Sequence, residues 1–252
     1  MIDTHCHLYA EEFNADIENV MGRALQEGVT RFYLPAIDST TNAAMLQLEQ
    51  NFTGKCFAMM GLHPCSVKAN YKEELEMVKE LLGKRKFAGI GETGLDLHWD
   101  KSFIKPQVYA LEYQADLALK YELPLILHTR DAMRETIDVI KNFSPRGLKG
   151  IFHCFGGSME EAEEIIDMGF YLGIGGIITY KNSRLAPILS SVGLHNLVLE
   201  TDAPYLSPVP FRGKRNEPGY LSFVAKKLAE ITNTSVEEVT SITTRNAEQI
   251  FT

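Results

Sequence analysis

Apolar positions along the chain fall into two patterns that alternate. Short β-like runs occupy residues 1–7, 31–37, 56–62, 87–92, 123–128, 150–155, 170–175 and 196–201. Between them lie longer stretches with helical spacing. The first of these carries Ile17, Val20, Met21, Ala24 and Leu25 on one face and is closed by Gly28, a residue suited to the left-handed turn that ends helices. Amphipathic segments at 107–120 and 158–168 repeat the pattern, the latter opening with Ser158 three residues before Glu161, a capping-box spacing. A final segment, 235–251, starts the same way with Ser235 and Glu238 and has no strand after it. Eight strand–helix units and an extra C-terminal helix predict a closed (β/α)8 TIM-type barrel. An open doubly wound sheet is the lesser alternative, because its Gly-rich phosphate turn is missing.

Length supports that reading. The 252 residues match the roughly 250 that one such barrel needs, so a single domain over 1–252 is expected, with no linker, repeat or low-complexity tract. The apolar fraction of 45% is ample for a core. No window reaches the roughly 18 uninterrupted apolar residues of a membrane span, and the first strand begins without a basic and apolar leader. A soluble, cytoplasmic protein without membrane partners is expected, and a monomer. Cys6, Cys56, Cys65 and Cys154 show no C-x-x-C spacing and read as reduced thiols. Alternation places Cys6 and Cys154 in the packing, opposite their histidine neighbours. The net charge of −8 argues against a protein that holds DNA by a broad basic face. It leaves room for a phosphate substrate at a site whose positive charge comes from metal and a few local cations.

Catalytic residues of such barrels sit at the C-terminal ends of the strands. There the sequence places His5 and His7, His63, Glu92, His128, His153 and Asp202. His5 and His7, two residues apart, aim their rings the same way from one strand end. Five of the seven histidines gather at such ends. Four imidazoles and two carboxylates suffice for two adjacent divalent ions, one held by His5, His7 and Asp202, the other by His128 and His153, with Glu92 bridging. The competing readings are a polar strand end for His5 and His7, hydrogen-bonded core histidines for His128 and His153, and an Arg or Lys partner for Glu92. His63 is equally a substrate-binding or supporting group. Asp96 either orients a ligand or caps a turn, and His98 and His195 read as surface residues. Arg130 contacts an anionic substrate or pairs with a carboxylate such as Asp131. Arg212, Lys214 and Arg215 make the loop after the last strand basic, either to hold phosphate or as a solvated loop.

The motifs Asp3-Thr4-His5-Cys6-His7, Gly61-Leu62-His63-Pro64, Gly91-Glu92-Thr93-Gly94-Leu95-Asp96, His128-Thr129-Arg130-Asp131-Ala132, His153-Cys154-Phe155-Gly156-Gly157-Ser158 and Glu200-Thr201-Asp202-Ala203-Pro204-Tyr205-Leu206 run end to end. In them the chain resembles the TatD family of metal-dependent deoxyribonucleases, within the amidohydrolase-like barrel superfamily. The family commonly has Ser where Gly156 and Thr129 stand. The resemblance implies His5, His7, Glu92, His128, His153 and Asp202 as ligands, and hydrolysis of DNA phosphodiesters, expected from a 3′ end. Metal ions lower the pKa of water and neutralise phosphate oxygens as charge builds. Asp202 is then expected to orient the water and take its proton, Glu92 to fix the spacing of the ions, and His63, Arg130, Arg212 and Arg215 to hold the phosphate. Tyr205 and Phe211 are possible base-stacking groups. The two ions are expected to be Mg²⁺, Mn²⁺ or Zn²⁺. The imidazoles suit transition metals, whereas the family is described as magnesium-dependent. The rival is a metal-dependent hydrolase of a small amide, lactone or phosphoester. A nucleic-acid-binding scaffold with a dormant site is the reading from another class.

Overall fold

The computed structural model describes residues 1–99 and 101–251. Among these, strands and helices alternate as β1 (Ile2–Asp3), α1 (Ile17–Gln26), β2 (Arg31–Pro35), α2 (Asn42–Asn51), β3 (Cys56–Met59), α3 (Tyr71–Lys84), β4 (Ile90–Asp96), α4 (Ile104–Tyr121), β5 (Leu125–Arg130), α5 (Met133–Ile140), β6 (Gly150–Phe152), α6 (Met159–Asp167), β7 (Tyr171–Ile174), α7 (Leu185–Val192), β8 (Leu197–Leu199), α8 (Leu221–Thr232) and α9 (Val236–Ile250). Each of the eight expected units is present, and α9 is the extra helix. Ser158 accepts from Glu161 N at 3.2 Å while the Glu161 side chain accepts from Ser158 N at 2.7 Å, completing the capping box of α6. Ser235 caps α9 through Glu238 N.

All strand pairs are parallel, in two sheets ordered β1-β2-β3 and β4-β5-β6-β7-β8. Single parallel bridges, Met60 to Ile90 and Cys6 to Ala203, join the sheets into a ring. Across the second junction Thr4 N donates to Leu199 O at 3.1 Å, Asp202 N to His5 O at 2.9 Å and His7 N to Ala203 O at 2.7 Å. Across the first, Ala88 N donates to Ala58 O at 2.9 Å, Met60 N to Gly89 O at 3.1 Å and Gly91 N to Met60 O at 3.0 Å, and the result is a TIM-type barrel. No helix among the described residues is long and apolar enough to cross a membrane.

Alternation along the strands sorts side chains into two cores. Leu125, Leu127, Phe152, Leu197 and Leu199 face the helices in the larger cluster. Ile2, Tyr33, Met59, Ile126, Ile151 and Val198 fill the barrel's interior, and Ala247, Ile250 and Phe251 at the end of α9 pack against them. The Phe251 ring stacks on Tyr33 with centroids 3.6 Å apart. A dry floor thus underlies whatever projects from the upper strand ends.

Two strands depart from the sequence reading. The first is regular only over Ile2–Asp3, not to residue 7. Asp3 pairs with Phe32, yet the next wall contact is Cys6 N to Tyr33 O at 3.1 Å. The extra residues form a bulge, which sends His5 and His7 into the interior that Ile2 also faces; strict alternation would have separated Ile2 from His5. The fourth strand runs Ile90–Asp96 rather than ending at Glu92, and its register with β5 shifts between Ile90 and Thr93. Glu92 therefore sits at an irregularity inside the strand. Gly94 has φ +138°, and a Cβ there would lie 2.1 Å from His128 O. Only glycine lets β4 pass that close to β5.

Candidate metal centre

Side chains from the ends of four strands, β1, β3, β5 and β6, converge on Glu92. Its Oε2 lies 3.0 Å from His5 Nε2 and 3.5 Å from His7 Nε2. Its Oε1 lies 2.6 Å from His128 Nδ1, 3.3 Å from His63 Nε2 and 3.6 Å from His153 Nε2. One buried carboxylate thus turns its two oxygens to two sets of imidazoles. Asp202 Oδ1 is 3.7 Å from His5 Nε2 and 3.6 Å from His7 Nε2. Three triads have ligand atoms within 4.8 Å of one another: His5, His7 and Glu92; His5, His153 and Asp202; His63, Glu92 and His128. All six expected ligands come together, but in a different grouping. The His153 ring stacks on His5 at 3.6 Å and lies 6.3 Å from that of His128, whose neighbour is instead His63.

Supporting groups fix the tautomers. The Tyr9 hydroxyl donates its one proton to Pro35 O at 2.5 Å, so at 2.8 Å it accepts from His7 Nδ1–H. His7 Nε2 faces the centre; burial would lower the ring's pKa, but Tyr9, Asp202 and Glu92 hold it well above the usual value, so an ion bound there would displace the Nε2 proton. His63 is the reverse case. Its Nδ1 accepts from Cys65 N at 3.0 Å, so the neutral ring carries its proton on Nε2 and presents a donor rather than a ligand. His128 lies between two carboxylates, with Nε2 3.0 Å from Asp96 Oδ2, and must release one of these contacts to bind an ion. His153 Nδ1 lies 3.0 Å from Glu200 Oε1, which also accepts from Cys154 N at 2.6 Å. Asp3 ties the first strand to the last, accepting from Thr201 N at 3.0 Å, Thr201 Oγ1 at 2.5 Å and His5 N at 3.3 Å.

Charge balance tests whether this site suits a cation. Asp3, Glu92, Asp96 and Glu200 are buried and Asp202 nearly so. Among the described residues none of the five pairs with Lys or Arg; histidines are the cationic partners of Glu92, Asp96, Glu200 and Asp202, and Asp3 has the Thr201 and His5 N hydrogen bonds instead. Burial would raise the Glu92 carboxyl, but the charges of His63, His5 and His153 and the His128 hydrogen bond hold it well below the usual range. Burial opposes and the His7 hydrogen bond leads the lowering at Asp202. His153, which burial alone would push down, is carried up to about 10 by Glu200 and Glu92. Burial and the neighbouring His153 lower His5. Burial raises Asp3 to about 7 against the Thr201 hydrogen bonds. These carboxylates require positive charge in a dry pocket, and one of their oxygens, Glu200 Oε2, is buried without a hydrogen-bond partner. Mixed imidazole and carboxylate donors fit divalent transition metals.

The centre opens into a cavity of about 660 Å³ lined by Ile37, Cys65, Trp99, Arg130, Ile177 and Tyr205 around the ligands. Of the expected phosphate-holding residues, His63 and Arg130 line it. Arg212 lies over the Tyr180 ring, 4.5 Å from its centroid, outside the lining. Arg215 is bound by Asp16 at 2.7 and 2.8 Å and by Glu12 O at 2.5 Å, so its guanidinium links the loop to the start of α1 instead of facing the centre. Phe211 is stacked on Tyr220 at 4.0 Å and is not free to hold a base. Cys6 lies in the outer packing as expected, but Cys154 lines the cavity, because its left-handed backbone, φ +49°, breaks the alternation. His98 is exposed, 2.9 Å from Asp131, and His195 is exposed before β8. Sequence reasoning gave no role to Asp3, Tyr9 or Glu200. Glu200 carried the signal used for Glu92, an acid closing an apolar run; Tyr9 carried none.

A family model described as TatD related DNase matches residues 2–252. The uncharacterized metal-dependent hydrolase YabD of Bacillus subtilis is 39% identical over 252 residues, covering all of this chain and 98% of the relative. The crystal structure of YjjV, a TatD homologue from Escherichia coli, superposes with a TM-score of 0.94 at 32% identity, covering 100% of this chain and 97% of that one. A TatD family hydrolase from Entamoeba histolytica shares the fold, with a TM-score of 0.87 at 22% identity over 100% of this chain and 97% of that one.

Proposed function

The chain belongs to the TatD-related DNase family and is a metal-dependent hydrolase, and on that premise we propose that it cleaves DNA phosphodiester bonds, working inward from a 3′ end. The observation that carries this reading is Glu92, with one oxygen toward His5 and His7 and the other toward His128 and His63, a bridge suited to two ions that clamp one phosphate. His5, His7, Glu92, His128, His153 and Asp202 would hold those ions. When bound, they acidify water and neutralise the charge that builds on the phosphate oxygens. Asp202, the most open of the acids, accepts the proton of the attacking water as its oxygen bonds to phosphorus. The His63 Nε2–H donates to a phosphate oxygen or to the leaving oxygen as its bond to phosphorus breaks. Arg130, on the cavity wall, pairs with the phosphate's charge. Arg215 has no part in this, being held by Asp16.

The test uses a 5′-labelled single-stranded oligonucleotide and metal-depleted protein supplied with Mg²⁺, Mn²⁺ or Zn²⁺, beside Glu92→Gln. A ladder shortening from the 3′ end, dependent on metal and lost by at least about 10³-fold in the variant, is expected, the scale of losing a principal electrostatic group. An intact oligonucleotide together with turnover of small esters or amides would overturn the DNA assignment and leave the hydrolase.

A further inference from the structure

Trp99 is the chain's only tryptophan, and it is 71% exposed at the rim of the cavity. Such exposure of a large apolar ring calls for a reason. One face of the indole is covered by the Arg130 guanidinium, 5.1 Å from the ring, and His98 stands edge-on to it at 4.9 Å. Its placement is tied to the metal centre. Asp96 Oδ1 accepts from His98 N at 3.0 Å and Trp99 N at 3.3 Å, while Asp96 Oδ2 faces His128 Nε2 at 3.0 Å. A single carboxylate therefore sets both an expected ligand and the backbone that carries the indole.

A second open ring stands across the cavity. Tyr205, 50% exposed, follows β8, whereas Trp99 follows β4. In a ring of eight strands taken in order, β4 and β8 are diametrically opposite, so the two aromatics flank the centre with Glu92 between them. Tyr205 lies 6.1 Å from the His7 ring, and Leu206 adds an apolar edge. A small ester or amide has no use for two rings on opposite rims. A nucleotide chain does, since its bases lie on both sides of each phosphate and stack on aromatic rings whatever their identity.

We propose that Trp99, backed by Arg130, and Tyr205 are stacking platforms for the bases on either side of the scissile phosphate. Such platforms need unpaired bases, since a duplex keeps its base faces covered. Arg130 serves twice, rigidifying the indole and meeting the phosphate between the bases. The proposal rests on the phosphodiesterase reading above and names the polymer that reading requires.

Trp99 itself reports the test. Its fluorescence is followed in the metal-loaded protein as a phosphorothioate thymidine tetranucleotide, resistant to cleavage, is added, and again with the same backbone made abasic. The base-bearing strand is expected to quench the indole and to bind about ten-fold or more tightly than the abasic one, the scale of one base–aromatic stack. Tyr205→Ala should erase most of that preference while Tyr205→Phe keeps it. In cleavage of an ordinary strand, Trp99→Ala should raise KM by about ten-fold with kcat little changed, and Trp99→Phe should restore it. Equal affinity for the base-bearing and abasic strands, or a Trp99→Ala variant with unaltered KM, would overturn the proposal. A base preference without any hydrolysis would sustain the platforms and defeat the nuclease reading; an absence of both defeats the two together.

Discussion

Glu200 shows how far a ligand's behaviour depends on residues that touch no ion. It faces His153 Nδ1 and holds Cys154 N, and it has room because Gly173, on the neighbouring strand, lacks a side chain. A Cβ at Gly173 would lie 2.2 Å from Glu200 Oε2. Gly173→Ala must therefore push the carboxylate away from His153, and partners of this kind are worth roughly 10- to 100-fold in metal affinity. The expected outcome is a weakened metal titration by about that factor with the fold retained by circular dichroism; unchanged affinity would show that Glu200 is merely buried. The same residue marks a limit of the sequence. Glu92 and Asp202 were legible as acids ending apolar runs, and Glu200 had that signature too, but nothing in one dimension says which of two neighbouring acids, Glu200 or Asp202, faces an ion and which a ligand. Asp202 resolves it in three dimensions by a left-handed backbone, φ +56°, a conformation Asp tolerates better than most residues.

Helices and strands differ in how well their bounds could be read. The Ser-x-x-Glu spacings located α6 and α9 to within a residue or so, because a cap is a local interaction between residues three apart. Ser158→Ala removes one such bond from the start of α6. A loss of about 1 kcal/mol is expected, seen as a fall of roughly 2–4 °C in Tm for a chain of this size, with turnover unaffected; no shift would mean that Glu161 alone secures the turn. The strands were found in number and order, but β1 and β4 were misplaced at their upper ends. Alternation assumes a regular ladder, and both strands break theirs where they carry ligands: a bulge turns His5 inward, and the shift after Ile90 places Glu92 inside its strand. Tertiary pairing makes these departures, so the hydrophobic pattern holds no trace of them. Arg215 was misread for a related reason. Its partners Asp16 and Glu12 lie some two hundred positions away, and a basic loop looks the same whether its charges are free or spoken for.

Across the whole molecule, a net negative charge and a locally cationic cavity coexist because basic side chains gather at the centre. The net charge is −8, yet the cavity wall offers Arg130 and a nest of histidines. The ring itself has a further property. Its wall runs as a ladder within each sheet, while at each of two seams, β3 to β4 and β8 to β1, an isolated bridge and three backbone hydrogen bonds close it. Those seams are flanked by side chains of the candidate metal centre: His63 and Glu92 border the first, His5, His7 and Asp202 the second. A divalent ion seated there would be a rivet through the joint of a barrel stave, uniting segments that belong to different sheets, and closing a loop that runs from His5 to Asp202. Loops of that length gain the most from cross-linking. Chelation should accordingly speed amide exchange at Thr4, His7, Met60 and Gly91, whose N–H groups cross the seams, while β6 within the larger sheet stays protected; uniform loosening would mean that the metal fastens nothing in particular. A centre suited to metal-assisted hydrolysis would, on this view, also be what holds its own hoop shut.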